Sequence, residues 1–211
     1  MLIAIIALVT VASSSAAIGV NPRLEKKQLS RADNARAARG LVKRSDLPGW
    51  KVDKPGPFDD EPSGMPGCDP DLSMFTITGR AHSAFQHPAG GTVDSEVDIF
   101  ESTSDARGDF IASEAALTGR CLRAVFAKEG GKTVRLVSAR KMPASSIGDR
   151  TTAFRAVISV KTPRARVSIY VDFLAFQQGR AIGEIFVSNP RRPLPHTLEA
   201  LARFMAARSR R

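Results

Sequence analysis

The sequence predicts an α+β domain: an antiparallel sheet of six or seven strands with helices packed mainly on one face. Period-two alternation of apolar and polar residues dominates from about residue 73 to residue 188. Helical spacing is confined to three stretches, near residues 31–42, 103–126 and 195–208. The resulting order, α, β, β, α, four β, α, brings hairpins side by side and leaves helices to cover them, which is the α+β arrangement.

The chain opens with an export signal. Met1 to Val20 carry no charged side chain, the apolar run ends at Val11, and Ser15-Ala16-Ala17 supplies the small residues a signal peptidase needs. A membrane-spanning helix needs about 20 mainly apolar residues, more than this run provides. The expected division is residues 1–17 as signal peptide, 18–29 as linker and 30–211 as one domain, with a membrane as partner only if the segment stays uncleaved.

Ser30-Arg31-Ala32-Asp33 offers a capping signature for a first helix with Ala35, Ala38 and Leu41 or Val42 on one side. Ser45-Asp46-Leu47-Pro48-Gly49 stops it. Trp50 then fits a core plug where a strand begins. Four prolines and three glycines between Pro55 and Gly67 exclude regular structure and predict a loop leading to Cys68.

Residues 74–80 and 93–100 flank Pro88-Ala89-Gly90-Gly91 and predict an antiparallel hairpin. In the second strand Val93, Ser95, Val97 and Ile99 share one face, and Asp94, Glu96 and Asp98 the other. Ser102-Thr103-Ser104-Asp105 caps a second helix through Ala106, Phe110, Ser113 and Leu117, with Gly119 bending it or dividing it before Cys121. Four strands follow, at 133–142, 151–160, 164–177 and 180–188, with Gln178-Gly179 as a tight turn. The closing helix, 195–208, aligns Leu198, Leu201, Ala202 and Met205.

Cys68 and Cys121 are the only cysteines. An even pair in an exported chain, without a CxxC or histidine-rich setting, predicts a disulfide.

Charge is distributed unevenly. Residues 1–45 carry 8 Lys and Arg against 2 Asp and Glu, residues 46–114 carry 4 against 14, and residues 115–211 carry 19 against 5. Acidic and basic strands of one sheet would then meet in cross-strand pairs. Asp94, Glu96 and Asp98 are the acidic ladder, and Arg135, Arg155, Arg164 and Arg166 on later strands are its expected partners. A basic surface facing an unknown envelope component or an anionic surface is the sharper alternative.

No motif identifies a reaction or a cofactor. Gly130-Gly131-Lys132-Thr133 resembles the end of a phosphate-binding loop, but Phe126 stands where its first glycine belongs and a strand follows. His82 and His87 point to opposite faces and His196 is remote, so a three-histidine metal site is not expected. Asp69-Pro70-Asp71 lacks the glycine-punctuated acidic loop of a calcium site. Neither a Ser/His/Asp set nor a carboxylate pair in an apolar setting stands out, so catalysis is not expected. Aromatic residues make up 6% of the chain and basic residues are spread over many elements, which argues against nucleic acid as a partner.

The succession of an export signal, a helix, Leu47-Pro48-Gly49-Trp50, Cys68, an acidic hairpin, Cys121 in a helix, Ile147-Gly148-Asp149-Arg150 before Arg155, and Gln178-Gly179-Arg180 between two strands resembles a group of actinobacterial exported proteins. These include the extracellular sensor domains of membrane serine/threonine kinases and secreted lipoproteins with a PsbP-like sandwich. The resemblance spans roughly residues 30–208. It implies a helix-covered sheet with a central polar cleft for an envelope ligand, and on this chain the cleft would be lined by Asp94, Glu96, Arg155, Arg166 and Tyr170. The expected function is an exported, sensor-like binding module, with a protein-interaction module docking through a charged face as the alternative and a hydrolase third.

Overall fold

The computed structural model describes residues 25–55, 68, 70–123, 133–163, 165–190 and 193–210. The expected signal segment 1–17 and most of the loop before Cys68 lie outside the described residues, as does Arg164. Eight strands form one mixed sheet: β1 (Lys26–Lys27), β2 (Lys51–Asp53), β3 (Thr76–Gln86), β4 (Thr92–Phe100), β5 (Val134–Lys141), β6 (Arg150–Lys161), β7 (Arg166–Gln178) and β8 (Ala181–Asn189). Their order is β1-β3-β4-β8-β7-β6-β5, with β2 also on the outer edge of β3. Among the described residues, the longer helices packed against the sheet are α1 (Arg31–Gly40), α2 (Thr103–Ala116) and α3 (Pro195–Ser209). The class is therefore α+β, as the sequence predicts; the short β1 takes the count past the expected six or seven, and the short β2 follows Trp50, where a strand is expected to begin.

Both expected caps form. The hydroxyl oxygens of Ser30 and Ser102 accept from the backbone N–H groups of Asp33 and Asp105, each at 3.0 Å, satisfying donors that a helix start leaves open. Residues 119–123 form a separate helical turn after α2. The β7–β8 hairpin closes Gln178 on Ala181, which places the two-residue turn at Gly179-Arg180, one position later than expected. Gly179 has a φ of +58° there, a conformation that other residues adopt at a cost.

The helices divide between the two faces. Ala37 of α1 and Leu198, Leu201, Ala202 and Met205 of α3 pack with Val93, Val97, Ile99, Leu174 and Ile185 in one core. Beneath α2 a second core joins Phe110 and Ala106 to Ile77, Phe100, Phe154, Phe173 and Ile182. Alternation along β4 sets this division, since Val93, Val97 and Ile99 point one way and Phe100 the other. At Gly79, where β3 bulges, a side chain would overlap the backbone of Asp33 in α1, so glycine permits the helix to lie directly on the strand.

One boundary differs from the sequence reading. Residues 25–29, expected as linker, are built into the domain: Lys26 and Gln28 donate backbone hydrogen bonds to Phe75 and Ile77, both at 2.9 Å, and Glu25 is buried. The pairing is parallel and spans two residues, too short to leave a periodic signal.

Candidate functional site

A pocket of about 290 Å³ opens between the β5–β6–β7 end of the sheet and α3. Its floor comes from alternate positions on adjacent strands: Ala153 of β6 lies opposite Leu174 of β7. Leu198 of α3 closes one side, and Met142, Pro143 and Ala144 close another as the chain leaves β5. Ala153 and Ala144 leave room that larger residues would fill. Charged groups bound the apolar floor: Arg140 and Arg155 from neighbouring strands, and Glu199 from α3. Ser145 donates its hydroxyl hydrogen to Glu199 Oε2 at 2.9 Å, tying the carboxylate to the segment after β5.

Arg155 is fixed from below. Its Nε and Nη2 donate to the two carboxylate oxygens of Asp172 at 2.5 and 2.9 Å, and Asp172 also accepts from the backbone N–H of Leu194 at the start of α3. Asp172 is 1% exposed, so the carboxylate is buried beneath a partly exposed arginine and its remaining acceptor capacity is used where sheet and helix meet.

The opposite face, under α2, holds a cluster of carboxylates around one cation. Arg80 lies opposite Asp98 in the β3–β4 register and pairs with it at 2.6 Å, with Glu96 at 3.2 Å. Glu96 in turn lies directly opposite Glu184 of β8, and Glu25, just before β1, and Asp109 of α2 approach the same cluster. Burial, reinforced by neighbouring carboxylates, raises the carboxyls: Glu25 to about 9, Glu184 to about 8, Asp109 to about 7, and Glu96 well above its ordinary range. Burial works against the Arg80 charge too, but Asp98, Glu96 and Glu25 more than offset it and keep the guanidinium charged. Asp109, Ser113 and Glu184 also border a cavity of about 10 Å³, space for about one water molecule. Among the described residues no three His, Cys, Asp or Glu side chains are placed to hold a metal ion.

The five residues expected to line one cleft do not meet. Asp94 and Glu96 face α2, whereas the register Val93–Val187–Asp172–Arg155 puts Arg155 on the α3 face, with Tyr170 on that same face of β7. Arg166 shares the face of Asp172 but stands roughly 20 Å farther along β7 at about 3.3 Å per residue. The expected ladder of Arg135, Arg155 and Arg166 against β4 is likewise corrected. Strand β8 lies next to β4, which leaves β6 about 14 Å from β4. Arg80, inside the acidic hairpin itself, is the partner instead. A sign in the sequence was available: Arg80 is the one cation between Lys54 and Arg107.

Cys68 and Cys121 are joined in a disulfide that ties the loop before β3 to the helical turn after α2. Trp50 immediately precedes β2, packs partly buried at the margin of the α1–α3 core and meets His87 edge-on at 5.0 Å between ring centres.

No known family model matches the chain, and no curated protein matches it in sequence. Among solved structures, the extracellular domain of PknH from Mycobacterium tuberculosis superposes with a TM-score of 0.51 at 10% identity, covering 84% of this chain and 96% of that domain. The Rv0999 ortholog from Mycobacterium smegmatis aligns with a TM-score of 0.46 at 13% identity over 86% of this chain and all of its own length. The first of these establishes a shared fold, in keeping with the resemblance to extracellular sensor domains of membrane kinases.

Proposed function

We propose that this chain is an exported, non-catalytic module that binds a small ligand in the pocket between β5–β7 and α3. One observation carries the reading: a concave apolar floor with a few convergent charged groups at its rim, the arrangement in which small molecules are usually held. Export is supported by the uncharged first twenty residues and by a disulfide, a bond that persists in oxidising compartments. The shared fold with an extracellular domain agrees with both. A binding rather than a catalytic role is supported by the lining, where among the described residues the one carboxylate, Glu199, is already engaged by Ser145 and no histidine or cysteine is present.

Thermal unfolding of the oxidised full chain against envelope fragments, lipids and polyanions tests this reading. A ligand at 100 times its dissociation constant adds about 2.7 kcal/mol to stability. A saturable shift that is lost when Ala144→Phe narrows the pocket supports the binding role, and no shift with any class overturns it.

A second reading, a protein-docking module, draws on edge strand β5, where Arg135, Arg140 and Lys141 flank Val137, itself 58% exposed. It requires association that weakens steeply with salt.

A further inference from the structure

The row of side chains that crosses the pocket floor carries an unbalanced charge, and the imbalance points to a ligand class. Arg140 lies directly opposite Arg155, and Arg155 directly opposite Asp172. Like charges directly opposite on neighbouring strands are destabilising, and Arg140, exposed on edge strand β5, is not needed to fill a core. Among the described residues no carboxylate pairs with Arg140. Asp172 neutralises Arg155 through Nε and Nη2, so the row keeps one net positive charge and Nη1 of Arg155 is not used in that pairing.

Among the described residues, the rest of the lining is apolar or already satisfied. Ala153 and Leu174 continue the floor, Leu198 and Met142 wall it, and the Lys141 ammonium turns to Glu114 at 2.6 Å. Glu199 is held by Ser145 at the end where the chain leaves β5, and its charge repels an anionic head from that end. A ligand that complements this site has an apolar body and one terminal negative charge beside the arginines. Planar guanidinium groups match a carboxylate in shape. A phosphate monoester, at about −1.5 to −2 near pH 7, would overbalance a row of +1.

We infer that the pocket binds a single-chain carboxylate amphiphile, its head between Arg140 and Arg155 and its chain against Ala153, Leu174 and Leu198. This rests on the binding role proposed above for the same pocket.

The test compares octanoate, octyl phosphate, octylamine and octanol as ligands of the full chain, by calorimetry and thermal unfolding. Octanoate should bind saturably and at least tenfold more tightly than each of the other three. Arg140→Gln, a change at an exposed position that leaves the core untouched, should reduce octanoate affinity at least tenfold while the unliganded melting temperature stays within about 2 °C, the ordinary range for a surface change. Octanol binding equally well, octyl phosphate binding better, or an unaffected Arg140→Gln overturns the head-group assignment and leaves the pocket as a binding site. Absence of binding by octanoate overturns the inference outright; the broader panel with Ala144→Phe then decides whether the pocket binds anything at all.

Discussion

Arg155 and Asp172 meet side by side on neighbouring strands, two nitrogens to two oxygens, with the carboxylate almost fully buried and also accepting from Leu194. One pair thus joins the middle of the sheet to the start of α3 and holds the arginine at the pocket floor. Its value lies in completeness: a buried charge costs several kcal/mol to desolvate, and that cost is offset only when every partner is present.

Removing one partner should therefore be costly. Asp172→Asn leaves Arg155 without its countercharge and should lower stability by about 3 to 5 kcal/mol. Replacing both residues, as Arg155→Met with Asp172→Leu, should recover most of that loss. Urea midpoints of the two variants at constant m-value decide the matter, and a single substitution costing under 1 kcal/mol would show that the pair is solvated.

The carboxylates under α2 predict a domain that prefers mild acid. Glu25, Asp109 and Glu184 have folded-state values of about 9, 7 and 8, above their ordinary values of 4.5, 3.8 and 4.5. The folded state thus binds more protons than the unfolded state in this window. The stabilisation is complete below about pH 4 and is lost as pH rises through the folded values. Asp33, Asp46 and Glu114 are shifted the opposite way, Asp33 and Glu114 against the cost of burial, by hydrogen bonds from Thr78 and Arg180, from Arg208, and from Lys141 respectively. Their contribution is present above the ordinary carboxylate range and falls away in strong acid. Melting temperature should peak near pH 5 and be lower at pH 9, and Glu184→Gln should raise it at pH 8 and flatten the alkaline slope. A profile that rises steadily from pH 5 to pH 9 would contradict the clustered arrangement.

Reducing the Cys68–Cys121 bond should destabilise the domain by roughly 4 kcal/mol on the loop-entropy account, given a sequence separation of 53. Denaturant unfolding with and without a reductant measures this directly, and a Cys68→Ser, Cys121→Ser variant should match the reduced protein.

Gly79→Ala should push α1 away from β3, because the added methyl would overlap the Asp33 backbone. Overpacking of this kind costs about 1 to 3 kcal/mol. It should also disturb the Asp33 link to Arg180 at 2.8 Å, so the Arg180→Ala variant should show less than additive loss when combined with it. Strict additivity would place the strain elsewhere.

Local chemistry made much of this protein legible in its sequence. Ser30 and Ser102 announce helix starts because a hydroxyl can satisfy an open N–H only from the cap position. Val93, Val97 and Ile99 announce a strand buried on one face because strand side chains alternate. Cys68 and Cys121, the only two cysteines of the chain, announce their own bond. Each of these signals is complete within a few residues or within one residue type.

Tertiary structure alone decided which groups meet. That β8 inserts beside β4 separates the acidic hairpin from the arginines of β6 and β7, and no local pattern encodes the order of strands in a sheet. Parity along each strand then sends Glu96 and Arg155 to opposite faces, so residues that looked like partners line different layers. The burial of Glu25 beneath α2 and the pairing of Arg140 beside Arg155 have the same origin. Both follow from long-range register, in which a shift of one residue would reverse the face of every side chain, and register is settled by packing the whole sheet at once.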